Sequence, residues 1–333
     1  MKKIIVVFLL IFATFASSLT GCKENKDLTK VKFNEVVHSI FYAPQYVALE
    51  KGFFEDEGLE IELTTGFGAD KSMTALLSGN ADIGFMGSEA SIYVYNEGQD
   101  DYAVNFAQLT QRAGNFLLSR DEIPSFDWED VKGKTIVGGR KGGMPQMVLE
   151  YILKQHNIVP YEDVEIITNI DFAATAGAFT GGTGDFSAEF EPTASQLENE
   201  GVGSVVASMG VDSGYVPYTA YMAKKSYIEE NPEIIQKFTN AIYKGQVWID
   251  EHTPEEIAKV IKPQFPDTDI ELLTQIVTRY KEQDTWRIDP YFAEEGFDLL
   301  QNILEEAGEL EKRVPYEDIV DNNFAREAIK ETE

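Results

Sequence analysis

The stretch ALLSGNADIGFMGSEASIYVYNEG at residues 75–98 has a second copy later in the chain, AFTGGTGDFSAEFEPTASQLENEG at residues 178–201. Aligned without a gap, the two copies share an Ala, a Gly, an Asp and a closing Asn-Glu-Gly. Each copy predicts a helix end, a glycine turn, a short strand and a second helix. Chance similarity is the alternative, since Gly and Asp are common at such turns.

Matching elements lie upstream of both copies. A strand, a helix and a strand precede each copy, at residues 31–37, 45–51 and 59–63, and again at 134–137, 146–154 and 164–167. Two such units predict an α/β fold of two lobes, each a mainly parallel sheet flanked by helices. The predicted boundaries are 31–112 and 213–333 for lobe 1, and 113–212 for lobe 2.

Longer helices are predicted after residue 213. Asn231-Pro232 and Thr253-Pro254 each supply an N-cap residue followed by a proline suited to the first helical turn. No third repeat exists for these helices to cover. We therefore expect them to pack on the first lobe.

The N-terminus has the pattern of a bacterial lipoprotein signal. Lys2 and Lys3 precede an apolar run from Ile4 to Ala16 that is too short to span a bilayer. Leu19-Thr20-Gly21-Cys22 resembles the lipobox, which predicts a signal peptide at residues 1–21, a lipid (palmitate) anchor on Cys22 at the extracytoplasmic face, and a tether at 22–30. An ordinary secretory signal is the alternative. Cys22 is the only cysteine, so an internal disulfide is excluded.

Composition excludes several function classes. A formal net charge of −29 repels nucleic acid and anionic headgroups. The three histidines are far apart and lack metal-ligand spacing, and no Gly-x-Ser-x-Gly elbow occurs. We expect a monomer with no metal, no cofactor and no catalytic residue.

Three segments carry a family resemblance. HSIFYAPQYVALEKGFFEDEGLEIEL (residues 38–63), ALLSGNADIGF (75–85) and FEP (190–192) closely resemble solute-binding proteins of ABC importers for nitrate, sulfonate, taurine and thiamine precursors. The resemblance implies a two-lobed periplasmic-binding-protein-like fold of type II that closes on a small solute. It also implies a partner permease with its ATPase. Pyrimidine-forming enzymes of the same fold remain the alternative of another class.

Four loops at the carboxyl ends of predicted strands form the candidate site, because ligands of parallel α/β sheets bind there. The first two supply aromatic faces and a helix N-terminus, and the third is glycine-rich and basic. The fourth carries two carboxyl groups. The candidate ligand-binding residues from the four loops are Ser39, Phe41 and Tyr42; Gly87, Ser88 and Glu89; Arg140, Gly143 and Met144; and Glu189 and Glu191.

Three further candidates lie outside these loops. Phe67 and Tyr218 are possible stacking faces, and Arg112 near the lobe crossing is a candidate partner for either Glu of the fourth loop. For Phe41 and Tyr42 a core role is the alternative, and for Ser88 helix capping.

The loops disagree about ligand charge. Arg140 and the glycines suit an anion, whereas Glu189 and Glu191 suit amino or ring N–H groups. The aromatic residues favour a heteroaromatic pyrimidine of the thiamine-precursor type. A sulfonate, taurine or nitrate ligand is the alternative.

Overall fold

The computed structural model describes residues 28–332 of the chain. The predicted signal peptide, Cys22 and most of the predicted tether lie outside these residues. Two five-stranded sheets form the centres of the two lobes, and helices cover both. We call the sheet that contains residue 29 the first sheet.

The first sheet has the strand order β2-β1-β3-β10-β4. Strand β1 is parallel to both β2 and β3, and strand β10 is antiparallel to both β3 and β4. Its strands are β1 (Thr29–Glu35), β2 (Leu59–Thr65), β3 (Ile83–Gly87), β4 (Ala103–Thr110) and β10 (Thr219–Lys224).

The second sheet repeats this arrangement with the order β7-β6-β8-β5-β9, in which β5 takes the antiparallel place of β10. Its strands are β5 (Asn115–Ser119), β6 (Thr135–Val137), β7 (Glu165–Ile167), β8 (Phe186–Phe190) and β9 (Ser204–Ser208). The mainly parallel α/β fold predicted for each lobe is therefore present.

The aspartates shared by the two sequence copies explain the repeat physically. Asp82 accepts a hydrogen bond from the backbone N–H of Lys32 at 2.8 Å, and Asp185 accepts one from Thr135 at 2.9 Å. Lys32 and Thr135 are equivalent in the pairing, since each directly precedes the residue that pairs with the first residue of β3 or β8. Each Asp thus fixes the start of the third strand of its unit against the first strand.

Fifteen α-helices connect and cover the sheets within the described residues. Those before β10 are α1 (Ala43–Glu50), α2 (Phe53–Asp56), α3 (Ala69–Leu77), α4 (Glu89–Asn96), α5 (Met144–Gln155), α6 (Thr175–Thr180), α7 (Thr193–Asn199) and α8 (Met209–Ser213). Those after β10 are α9 (Lys225–Glu230), α10 (Pro232–Glu251), α11 (Pro254–Ile261), α12 (Ile270–Glu282), α13 (Glu294–Glu306), α14 (Tyr316–Ile319) and α15 (Asn323–Thr332).

The two predicted proline starts differ in their caps. Thr253 forms a capping box with Glu256 at the start of α11, because threonine is a favoured N-cap residue and glutamate is favoured three residues later. Asn231 precedes Pro232 as predicted, but its side chain donates to the Tyr227 carbonyl and does not cap α10.

The late helices do not pack on the first lobe alone. Helix α10 packs on α1 and α15, as expected, but α13 contacts α5 of the second lobe. From α12, Tyr280 donates a 2.8 Å hydrogen bond to the Gly114 carbonyl at the lobe crossing. Helices α12 and α13 therefore also contact the second lobe, although α12 packs on α11 and on the first-lobe turn at 40–42. The predicted lobe boundaries stay a prediction.

Candidate functional site

A cavity of about 110 Å³ lies between the two lobes, at the carboxyl ends of β1, β3, β6 and β8. It is smaller than the pockets that bind drug-sized ligands, so a small solute matches its volume. Its lining is mostly apolar and comes from both lobes: Val36, Val37, Tyr42, Gly68, Ala69, Gly87, Glu89, Gly139, Arg140, Gly143, Met144, Pro145, Phe190, Tyr218 and Thr219.

The first loop divides its two aromatic residues between the cavity and the core. Tyr42 lines the cavity and packs edge-on against Phe85, with 4.5 Å between the two ring centroids. Phe41 is fully buried behind it, with ring centroids 5.7 Å from Phe190 and 5.4 Å from Tyr280. The interpretation of Phe41 as a cleft face is wrong, because neighbouring aromatic rings, including those of Phe190 and Tyr280, enclose its ring.

Ser39 joins the lobes without lining the cavity. Its hydroxyl donates to the Glu191 carbonyl of the second lobe at 2.9 Å and accepts from the Phe41 N–H. Phe67 is 60 % exposed and lies outside the cavity lining, so the structure does not bring it to the cavity.

The second loop places a carboxyl group in the cavity wall. Glu89 is 3 % exposed, and its Oε2 has no hydrogen-bond partner among the described residues. A Cβ at position 87 would lie 2.0 Å from this oxygen, so Gly87 is needed to leave room for the carboxyl group. Ser88 does not cap α4; its hydroxyl donates to the Pro217 carbonyl, away from the cavity lining.

Burial governs the protonation of Glu89. It raises the pKa of Glu89 to about 7, although the N–H groups of Glu89 and Met144 and the charge of Arg140 act in the opposite direction. Near neutral pH the carboxyl group therefore exists in both protonation states. A ligand in the cavity would meet a group that can donate or accept.

The glycine-rich third loop contributes several lining residues from the second lobe. Gly139 has a φ of 90°, a conformation that glycine adopts without strain. Arg140 has a half-exposed side chain whose guanidinium is 3.7 Å from Asp70 of the first lobe. Tyr93 donates to the Gly142 carbonyl at 3.2 Å and so also joins the lobes here.

The two carboxyl groups of the fourth loop do not enter the cavity. Ser187 and Thr175 donate to Glu189 at 2.6 and 3.1 Å, and burial raises the pKa of Glu189 to about 6. Glu191 is 1 % exposed and accepts from the N–H and hydroxyl of Ser195. Neither residue lines the cavity, because internal donors surround both carboxyl groups.

The prediction that Arg112 pairs with one of these carboxyl groups is also wrong. Arg112 donates to the Gly210 carbonyl at 2.8 Å and lies over the Tyr215 ring at 4.0 Å. Arg279 of α12 is the arginine that pairs with Glu191, at 2.7 Å.

Comparison with known proteins places this geometry in a family. The family described as NMT1/THI5-like matches residues 40–257, and a candidate binding protein of Bacillus subtilis (strain 168), YtlA, is 50% identical over 96% of both chains. The chain belongs to the NMT1/THI5-like family. The family resemblance found in the sequence is therefore confirmed.

Two further relatives of this NMT1/THI5-like chain differ in activity. A 4-amino-5-hydroxymethyl-2-methylpyrimidine phosphate synthase of Aspergillus parasiticus is 23% identical over 63% of each chain. The alkanesulfonate-binding protein SsuA of Xanthomonas axonopodis pv. citri, solved with MOPS bound, has a TM-score of 0.71 at 15% identity over 89% of this chain and 99% of its own. The fold is that of periplasmic solute-binding proteins, as expected.

Several residues that line the interlobe cavity were not predicted from the sequence. Val36 and Val37 are apolar, and Thr219 belongs to no motif. Phe190 did carry one, because side chains alternate along a strand and Phe190 stands between Glu189 and Glu191. That alternation places Phe190 on the face opposite the two carboxyl groups.

Within residues 28–332, no group of three or more His, Cys, Asp or Glu side chains is placed to hold a metal ion. In the same residues no helix is both long and apolar enough to cross a bilayer.

Proposed function

We propose that this protein is the solute-binding component of an ABC importer and captures a small heteroaromatic solute between its lobes by hinge closure. The interlobe cavity carries this proposal: Tyr42 and Tyr218 of the first lobe and Phe190 and Met144 of the second line one small, apolar space. A flat ring between these walls contacts both lobes at once. Such a ligand stabilises the closed state by its differential affinity for it.

The aromatic lining supports a ring in preference to a small inorganic anion. Aromatic pairs contribute about 0.5–1.5 kcal/mol beyond the area that they bury. Nitrate cannot use such contacts. A pyrimidine of the thiamine-precursor type combines a flat face with edge hydrogen-bonding groups, and the pyrimidine-phosphate synthase among the relatives forms a compound of that type.

A sulfonate is the second candidate, and Arg140 favours it. The Arg140 guanidinium borders the cavity, and its 3.7 Å contact with the exposed Asp70 leaves it available to an anion. The alkanesulfonate-binding protein with the same fold gives this candidate further support. Arg140→Ala should then remove a charge-assisted bond of about 1.5–3 kcal/mol.

Attachment to the extracytoplasmic membrane face through a lipid on Cys22 completes the proposal. It rests on the Leu19-Thr20-Gly21-Cys22 motif. The proposed partners are the permease and ATPase of the importer, and the proposed state is a monomer. Catalysis by an enzyme of the same fold is the competing class, and incubation of the purified protein with the identified solute tests it through the appearance of product.

Native mass spectrometry of the purified protein, followed by extraction of the bound small molecule, tests the proposal. A heteroaromatic solute that binds again with a one-to-one stoichiometry supports it. A sulfonate bound in its place favours the second candidate. Absence of any bound or rebinding solute would remove the binding-protein function.

A further inference from the structure

The cavity wall contains two buried oxygen atoms that have no hydrogen-bond partner in the part of the chain that the structure describes. Glu89 Oε2 and the Tyr218 hydroxyl have no partner among the described residues, and each residue is 3 % exposed. Buried polar groups are almost always hydrogen-bonded, because one that is not loses its hydration without gaining a partner. Both line the same cavity, so one bound molecule can supply partners to both.

The backbone at Gly87 leaves the space that the Glu89 carboxyl group occupies. It is the first residue of α4, directly after β3, and its carboxyl group folds back over Gly87. Any side chain at position 87 would meet the carboxyl group at 2.0–2.6 Å. The chain therefore keeps an unpaired carboxyl oxygen in an apolar cavity, and the first lobe has no group in the described residues that uses it.

We propose that the Glu89 carboxylate is the ligand-recognition group of the cleft and selects an amino-substituted or amidinium-bearing flat ring over an anion. This inference rests on the proposed function and names its ligand class. An N–H edge of the ring donates to Glu89 Oε2, its face lies against the aromatic walls, and the Tyr218 hydroxyl bonds a second ring atom. Glu89 thereby takes the role that the sequence assigned to Glu189 and Glu191.

The charges around Glu89 are consistent with selection against anions. Arg140 is the cation that acts on its carboxyl group. The tyrosines around the cavity are uncharged near neutral pH, and burial raises the pKa of Tyr42 and Tyr218 further above the ordinary value. The wider groove beyond Arg140 adds more acidic than basic groups: Asp70, Glu97, Glu309 and Glu311 against Lys141 and Lys312. An anion beside Glu89 would meet repulsion or force the uptake of a proton.

A fixed panel of probes tests the inference by calorimetry and thermal shift. The N–H probes are 4-amino-5-hydroxymethyl-2-methylpyrimidine, 4-aminopyridine and benzamidine, and the anion probes are benzenesulfonate, ethanesulfonate and nitrate. We expect at least one N–H probe to bind the wild type. In Glu89→Gln its affinity should fall about tenfold, because a charge-assisted bond becomes a neutral one.

Two variants control the measurement. Glu97→Gln removes a carboxylate at the C-terminal end of the same helix, in the outer groove but outside the cavity, and should leave the affinity within twofold. Glu89→Leu should abolish binding of the N–H probe without lowering the melting temperature of the empty protein, because it removes a buried carboxyl group whose Oε2 has no partner among the described residues. Retention of binding by Glu89→Leu would overturn the inference.

The outcomes separate the inference from the proposed function. If only benzenesulfonate or another anion binds, the inference is wrong and the binding-protein function stands. If an N–H probe binds but Glu89→Gln changes its affinity less than twofold, Glu89 is not the recognition group. If no N–H probe binds, the inference is wrong whichever solute co-purifies, and absence of any co-purified solute removes the proposed function as well.

Discussion

Arg279 and Glu191 form a 2.7 Å ion pair that joins helix α12 to the end of β8 in the second lobe. The same guanidinium reaches Glu198 at 3.1 Å, and Ser195 donates to Glu191 through both its N–H and its hydroxyl. Glu191 is fully enclosed by these donors. The pair therefore holds helix α12, which the sequence assigned to lobe 1, against lobe 2.

Arg279→Ala should destabilise the protein by about 3 kcal/mol, because it leaves the Glu191 charge buried without its cation. Urea unfolding of the empty protein measures this. The double variant Arg279→Met with Glu191→Leu is the control and should recover most of the loss, since it removes both charges. A loss below 0.5 kcal/mol in Arg279→Ala, of the order found for exposed ion pairs, would contradict a buried role.

The adjacent aromatic residues of the first loop should respond in opposite ways. Phe41→Ala should cost about 3–5 kcal/mol of stability, because its ring is fully buried against Phe190 and Tyr280. Tyr42→Ala and Phe190→Ala should weaken solute binding by at least fivefold, since both rings line the cavity. The expected loss corresponds to the aromatic contribution of about 1 kcal/mol. Melting curves and calorimetry on the three variants measure both effects. Equal loss of stability with unchanged affinity in Tyr42→Ala would place that ring in the core.

The sequence predicted the scaffold better than the site because the scaffold contacts recur in both lobes, whereas the contacts around the site occur once. The repeat at 75–98 and 178–201 carries the Asp82 and Asp185 contacts, and each joins residues 50 positions apart in the same way. The pairing of Glu191 with Arg279 joins residues 88 positions apart, and nothing in either local pattern indicates it.

Phe41 and Tyr42 show the same limit at short range. Both are aromatic, both follow β1, and both lie in a single helical turn of three residues. Which ring faces the cavity depends on how that turn is rotated against Tyr280 and Phe85, and those contacts come from distant elements. Glu89 was predicted as a contact residue, but its missing hydrogen bond becomes visible only when all its neighbours are in place.

Anchoring is tested by Cys22→Ser. The sole cysteine stands at the end of the lipobox-like motif, so the variant should be released from membranes or remain as the longer precursor. Fractionation and immunoblotting measure location and size, with Gly21→Ala as a control that retains the cysteine and a small preceding residue. A processed variant of wild-type size in the membrane fraction would show that another feature holds the protein there.

Three groups with raised pKa values should make the empty protein less stable as the pH rises. Burial raises the pKa of Glu89 to about 7 and of Glu189 to about 6. Burial lowers the pKa of His38, but its hydrogen bond to Glu35 at 2.8 Å, the Glu35 charge and the Gln264 carbonyl outweigh this, so its pKa is raised overall. In each case the folded protein holds its proton more tightly than the unfolded chain does.

The sign follows from proton linkage. A raised folded-state pKa contributes stability that is complete below the unfolded value, about 4.3 for Glu and 6.5 for His, and that is lost as the pH rises through the folded value. The free energy of unfolding should therefore fall between about pH 5 and pH 8. Urea unfolding across this range measures the slope. Glu89→Gln and Glu189→Gln should each flatten it between about pH 5 and 7, and His38→Gln should flatten it at the upper end. Glu35→Gln is the matched control for His38, because without the carboxylate partner burial lowers the pKa of His38 and its contribution to the slope should change sign. Stability that rises from pH 5 to pH 8 would contradict the assignment, since it requires an unfolded state that binds more protons than the folded one.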